Sequence, residues 1–130
     1  MSWDDHIASL RFGGLITEAA ICGFDGSVWA ASESLKGIIT AEQVKCLIGP
    51  SSAMTECGPT VGNIKCMFVK DDRDNEQSFC LHLKGNKNSG LQTVCVGKTS
   101  KAIVIGIAPP NASIAQRVFT TTKLLRDNKC

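Results

Sequence analysis

Between residues 64 and 108 the chain carries four β-type runs, 64–70, 78–84, 91–97 and 102–108, joined by short polar connections. Connections this short cannot hold the crossover that parallel strands need, so the spacing predicts a meander of antiparallel hairpins. Pro109-Pro110 stops the last run, because proline has no N–H to donate to a ladder. Such a sheet must bury its apolar side chains, and the segments around it read as the helices that cover them. Ser2-Trp3-Asp4-Asp5 has the form of a capping box, with Trp3, Ile7 and Leu10 following at helical spacing. Thr40-Ala41-Glu42-Gln43 is a second, leading to Val44, Leu47 and Ile48 before Gly49-Pro50. Ser113 is placed to cap a final helix whose Ile114, Val118, Thr122 and Leu125 share one face. Asp25-Gly26 sits between the apolar segment 18–24 and the run 27–30, a β-hairpin pattern. Residues 51–63, rich in Ser, Thr, Gly and Pro, read as loop. The resulting order is αββαββββα. It implies one α+β domain over residues 1–130, a central antiparallel sheet with the N- and C-terminal helices packed on one face.

The composition narrows the function. At 43% hydrophobic and 20% charged residues the chain should fold, and a formal charge of +2 is too mild for a dedicated nucleic-acid binder. No apolar run approaches the roughly 20 residues that cross a bilayer. Asp4 and Asp5 stand where a secretory signal would be basic, so a cytoplasmic protein is expected. Seven cysteines, an odd number, are then expected to be reduced thiols. Cys80 and His82 alone do not make a metal site. The two histidines, His6 and His82, fall in no nucleophile motif, and no phosphate-binding glycine loop is present. A binding protein without cofactor or metal is expected rather than an enzyme; a thiol-dependent enzyme is the distant alternative.

Trp3 and Trp29 are the only tryptophans, and the chain has no tyrosine. Each could fill a gap in the core. Equally, each could be exposed, Trp3 in the first turn of a terminal helix and Trp29 just beyond a tight turn. The second arrangement would make an aromatic platform of the kind that holds polyproline II segments.

Met1-Ser2-Trp3, Ala19-Ala20-Ile21-Cys22-Gly23, Ser27-Val28-Trp29-Ala30-Ala31 and Ile103-Val104-Ile105-Gly106 resemble profilin, over the whole chain and in the same element order. The resemblance implies a protein of the actin cytoskeleton. It would bind monomeric actin, regulate its polymerisation and nucleotide exchange, hold proline-rich segments of filament-elongation factors, and bind phosphoinositide head groups. It also implies site residues. Trp3, Ser27 and Trp29 match the polyproline site, together with His6 (where tyrosine is usual), Leu124 and Cys130 (where an aromatic tyrosine is common). Ser27 is expected to donate a hydrogen bond to a ligand carbonyl. Lys65, Phe68, Lys70, Lys84, Gln116 and Thr120 match the actin-binding surface. The alternative that the element order leaves open is a longin- or roadblock-like α/β scaffold of trafficking assemblies.

Overall fold

The computed structural model describes residues 3–76 and 78–129, with the backbone alone at positions 51, 55 and 57. Helix α1 (Trp3–Arg11) buries Ile7 and Leu10 at the expected spacing; its expected cap, Ser2, lies outside the described residues. Strands β1 (Glu18–Gly23) and β2 (Val28–Ala31) form the first hairpin. Helix α2 (Ala41–Ile48) opens with the expected capping box: the Thr40 side chain accepts from the Gln43 N–H, and the Gln43 side chain accepts from the Thr40 N–H. The Gln43 amide also exchanges two 3.0 Å hydrogen bonds with the backbone of Gly62.

Segment 51–63 departs from the expected loop. It holds a short helix, α3 (Met54–Cys57), and a two-residue strand, β3 (Thr60–Val61). Met54 and Val61 are fully buried, and elements of four and two residues are too short to show a period. The meander follows as β4 (Ile64–Asp72), β5 (Cys80–Gly85), β6 (Thr93–Lys98) and β7 (Ala102–Ala108), and α4 (Ala115–Asp127) closes the fold. Ser113 does not cap α4. The N-cap is Ile114, with no side-chain cap, and its burial in the core sets where the helix begins.

The seven strands lie in the order β2-β1-β7-β6-β5-β4-β3, every neighbouring pair antiparallel. Side chains alternate across the sheet. Ile103, Ile105 and Ile107 of β7 join Val44, Leu47 and Met54 of α2 and α3 on one face. Ala102 and Val104 join Ile7 and Leu10 of α1 and Val118 and Leu125 of α4 on the other. The terminal helices therefore share a face, as expected, and α2 covers the opposite one.

Helix α4 lies low on β6 and β7 because glycines stand beneath it. A Cβ on Gly106 would come within 2.8 Å of Val118 Cγ2, and one on Gly97 would overlap the Thr122 side chain. Cys22, Cys66, Cys80 and Cys95 are free thiols. Cys46, in contrast, is disulfide-bonded, which corrects the expectation of reduced thiols throughout. An odd cysteine count rules out only a fully paired set; which sulfurs approach is decided by the fold. Among the described residues no helix is long and apolar enough to cross a membrane.

The seat of α4 predicts that Gly97→Val overpacks the interface and destabilises the fold by about 1–3 kcal/mol. Urea unfolding should show a lower midpoint, and an unchanged midpoint would contradict the close approach.

Candidate functional site

Two surfaces depart from the regular pattern of the sheet, and each is produced by a β-bulge. In the first hairpin Ala20 pairs with Ala31 and Ile21 with Ala30, but Cys22 pairs with Val28, leaving Trp29 as the extra residue. A bulge locally bends the strand and re-aims a side chain. Here it goes with an indole set against the start of α1: the Trp29 and Trp3 rings are 4.7 Å apart, tilted by 46°. Both tryptophans are half-buried. His6, one turn on from Trp3, has its ring 5.7 Å away but is only 7% exposed, so it backs the Trp3 ring from the interior. Ser27 is exposed and accepts from Trp29 Nε1–H at 3.1 Å. Its own hydroxyl donates to Asp25 Oδ1 at 2.6 Å, which commits its hydrogen. Leu124 is exposed on α4, the helix that packs beside α1. Cys130 lies outside the described residues.

The second bulge lies in β4. Phe68 pairs with Leu83 and Lys70 with His82, which leaves Val69 unpartnered in the ladder. Helix α4 packs chiefly on β6 and β7, with less contact to β5, so β4 lies beyond its main footprint. Met67, Phe68 and Val69 are all exposed, at 48%, 41% and 58%, Met67 on the α4 side with Lys84 and Phe68 on the α2 side with Leu83. Phe68 is among the residues expected at the actin-binding surface, and Met67 and Val69 beside it are not. The signal was there, since three consecutive apolar residues break the period of two that a half-buried strand keeps. Lysines flank this run. Lys84 lies across from Met67. Lys70 sits 3.3 Å from Asp72, whose carboxylate is also 3.5 Å from His82 Nε2. Lys65 is exposed towards the β3 end. Gln116 and Thr120 are exposed on successive turns of α4, where the Thr120 hydroxyl donates to the Gln116 carbonyl at 2.9 Å. Nearby, Phe119 stacks on Phe79 at 5.9 Å, and the Arg126 guanidinium lies 3.8 Å over the other ring of the pair, Phe79.

Asp72, His82 and Cys95 form a line that resembles a nucleophile triad, with Cys95 Sγ 3.8 Å from His82 Nδ1. The electrostatics argue against that chemistry. Burial pushes the Cys95 thiol up to about 12, and burial likewise raises Cys22, Cys66 and Cys80 to about 11. These sulfurs stay protonated near neutral pH, whereas a nucleophilic cysteine needs its thiolate. Among the described residues no group of three or more His, Cys, Asp or Glu side chains could hold a metal ion.

An antiparallel sheet between helix layers, with two tryptophans gathered where the first helix meets the first hairpin, defines a small binding domain of the profilin type. The profilin family model matches residues 1–130, and the chain belongs to that family. It is 32% identical to human profilin-1 over 109 residues, 79% of this chain and 78% of the human one. Mouse profilin IIa, solved in complex with a double repeat from the FH1 domain of mDia1, superposes with a TM-score of 0.85 at 21% identity, covering 98% of this chain and 99% of the mouse one. LokiProfilin1, solved with rabbit actin, gives 0.65 at 18% identity, covering 96% of this chain and 94% of that one. The longin- or roadblock-like alternative is thereby set aside.

The buried thiols predict that iodoacetamide at neutral pH labels Cys95 only when the protein is unfolded. Rapid labelling of Cys95 in the native protein, followed by peptide mass, would contradict its protonated, enclosed state.

Proposed function

We propose that this profilin binds monomeric actin and, on a separate surface, the proline-rich segments of filament-elongation factors, in the cytoplasm and without covalent chemistry of its own. The observation that carries the reading is the pair of half-buried indoles, Trp3 and Trp29, set 4.7 Å apart. A polyproline II helix is already extended and loses little entropy on docking, so two ring faces offer it a sufficient track. Leu124 and Cys130 would extend that track, while His6 supports it from below. The FH1 complex of mouse profilin IIa supports this assignment by kinship. With His6 buried and no tyrosine in the chain, the stacking area is small and the affinity should be modest.

Actin is assigned to the uncovered face of β4 and β5 and the first turns of α4. An exposed apolar run flanked by cations has the anatomy of an interface centre with a charged rim. Met67, across from Lys84, with Val69 at the bulge, would supply the apolar contact on this face, whereas Phe68, across from the core residue Leu83, lies on the other face of the sheet and would meet actin only around the edge. Lys65, Lys70 and Lys84 would meet acidic groups of the partner, and Gln116 and Thr120 would lie at the α4 border. Bound there, the protein would alter nucleotide exchange by favouring one conformation of actin over another, which requires a difference in affinity for the two.

Two measurements test the reading. Titrating a proline decamer while following tryptophan fluorescence should give a saturable change that Trp29→Ala abolishes, since truncating an aromatic anchor commonly costs about 2 kcal/mol or more. In a pulldown with monomeric actin, Lys84→Glu should weaken retention roughly tenfold or more with the melting temperature unchanged. It is a cleaner probe than Lys70, which already pairs with Asp72. Unchanged retention by Lys84→Glu would remove the actin assignment from this face, and a silent decamer titration would remove the proline assignment from the other.

A further inference from the structure

Three polar atoms converge above Gly23 in the first hairpin. A Cβ built there would come within 2.8 Å of Ser27 Oγ, 2.9 Å of Asp25 Oδ1 and 3.0 Å of Trp29 Nε1. Asp25 Oδ1 accepts two hydrogen bonds from Ser27, one from its hydroxyl at 2.6 Å and one from its backbone N–H at 3.0 Å. The direction of the relay is dictated by chemistry. An indole N–H can only donate and an ionised carboxylate can only accept, whereas a serine hydroxyl has one hydrogen and two lone pairs. With its hydrogen given to Asp25, Ser27 has only lone pairs to offer, and Trp29 Nε1–H donates to one at 3.1 Å. The bulge selects where Trp29 leaves the backbone but does not fix its side-chain torsions; the relay holds the polar edge of the ring.

We propose that Asp25 is a positioning residue of the proline-binding platform: it commits the Ser27 hydroxyl as an acceptor and so anchors the Trp29 indole in its tilt against Trp3. The proposal rests on the platform reading given above. It changes the role of Ser27, which serves the ligand by orienting Trp29 and not by donating to a ligand carbonyl. Gly23 belongs to the same device, because any side chain there would displace all three atoms. The charge state agrees with the geometry. The hydrogen bonds from the Ser27 hydroxyl and N–H hold the Asp25 carboxyl below the ordinary aspartate range. A depressed pKa in the folded state means that the relay is fully present above the ordinary range and is lost only as pH falls through the lowered value.

A proline decamer titrated into wild type, Asp25→Ala, Ser27→Ala, the double variant and Asp25→Asn tests the relay, with actin retention and thermal unfolding as controls for folding. Asp25→Ala and Ser27→Ala should each weaken decamer binding by roughly fivefold, the scale of one net hydrogen bond. The double variant should be no weaker than either single one, because both break the same chain. Asp25→Asn, which keeps an oxygen acceptor, should recover most of the affinity. Actin retention should not change in any of them. The Trp29 indole N–H resonance of the unliganded protein should move in Asp25→Ala and hold its place in Asp25→Asn. Wild-type affinity in Asp25→Ala, losses that multiply in the double variant, or an unmoved indole resonance would overturn the role of Asp25 while leaving the platform standing. Wild-type protein that ignores the decamer would overturn the platform itself, and the Asp25 role with it.

Discussion

Strand β7 is buried along its whole length and pairs with β1 on one side and β6 on the other. It thereby joins the N-terminal hairpin to the meander formed by the rest of the chain, and without it β1 and β2 would be an isolated two-stranded hairpin, marginal on its own. Its place also decides where the terminal helices go. Helix α4 follows β7 directly and returns across β6 and β7 on the α1 face, held close by Gly97 and Gly106. Helix α1 fills the remainder of that face beside β1 and β2, which sets Trp3 against the bulged Trp29. The aromatic platform is thus a consequence of core packing, and Asp25 refines it locally.

Much of this order is legible in the residues themselves. The run Ala102–Ala108, closed by two prolines, has the composition of a strand buried on both faces, and it is one. The Thr40 capping box forms as written, and Asp25-Gly26 marks the first turn. What escapes the sequence depends on contacts distant along the chain. Met54 and Val61 acquire structure because the core needs them, not because their neighbours show a period. Ser113 loses the cap to Ile114 because an apolar anchor fixes the helix entry more firmly than one hydroxyl. The disulfide at Cys46 depends on which sulfurs the fold brings together.

The site residues divide along the same line. Trp3 and Trp29 could be named from a local pattern and Ser27 from the family resemblance, and the structure brings them together. The buried state of His6 could not, since an amphipathic helix of nine residues leaves the edge of its apolar stripe undecided. Neither bulge is visible in the residues alone. The run Met67-Phe68-Val69 breaks the period of two, but which of its residues falls outside the ladder is decided by the slipped register. Both candidate surfaces lie at bulges, and period-based reading is weakest at those places.

The two surfaces sit near opposite edges of the sheet. Five inter-strand steps of about 4.8 Å separate β2 from β4, roughly 24 Å along the sheet. At that separation the proposed proline-rich and actin partners would contact different edges of the sheet. The most direct test is analytical ultracentrifugation of the protein with monomeric actin and a fluorescent proline-rich peptide, following the peptide. The account predicts that the peptide sediments with the actin complex only when this protein is present, and that saturating actin does not displace it. Peptide released as actin is added would contradict it, because the two partners would then compete for one surface.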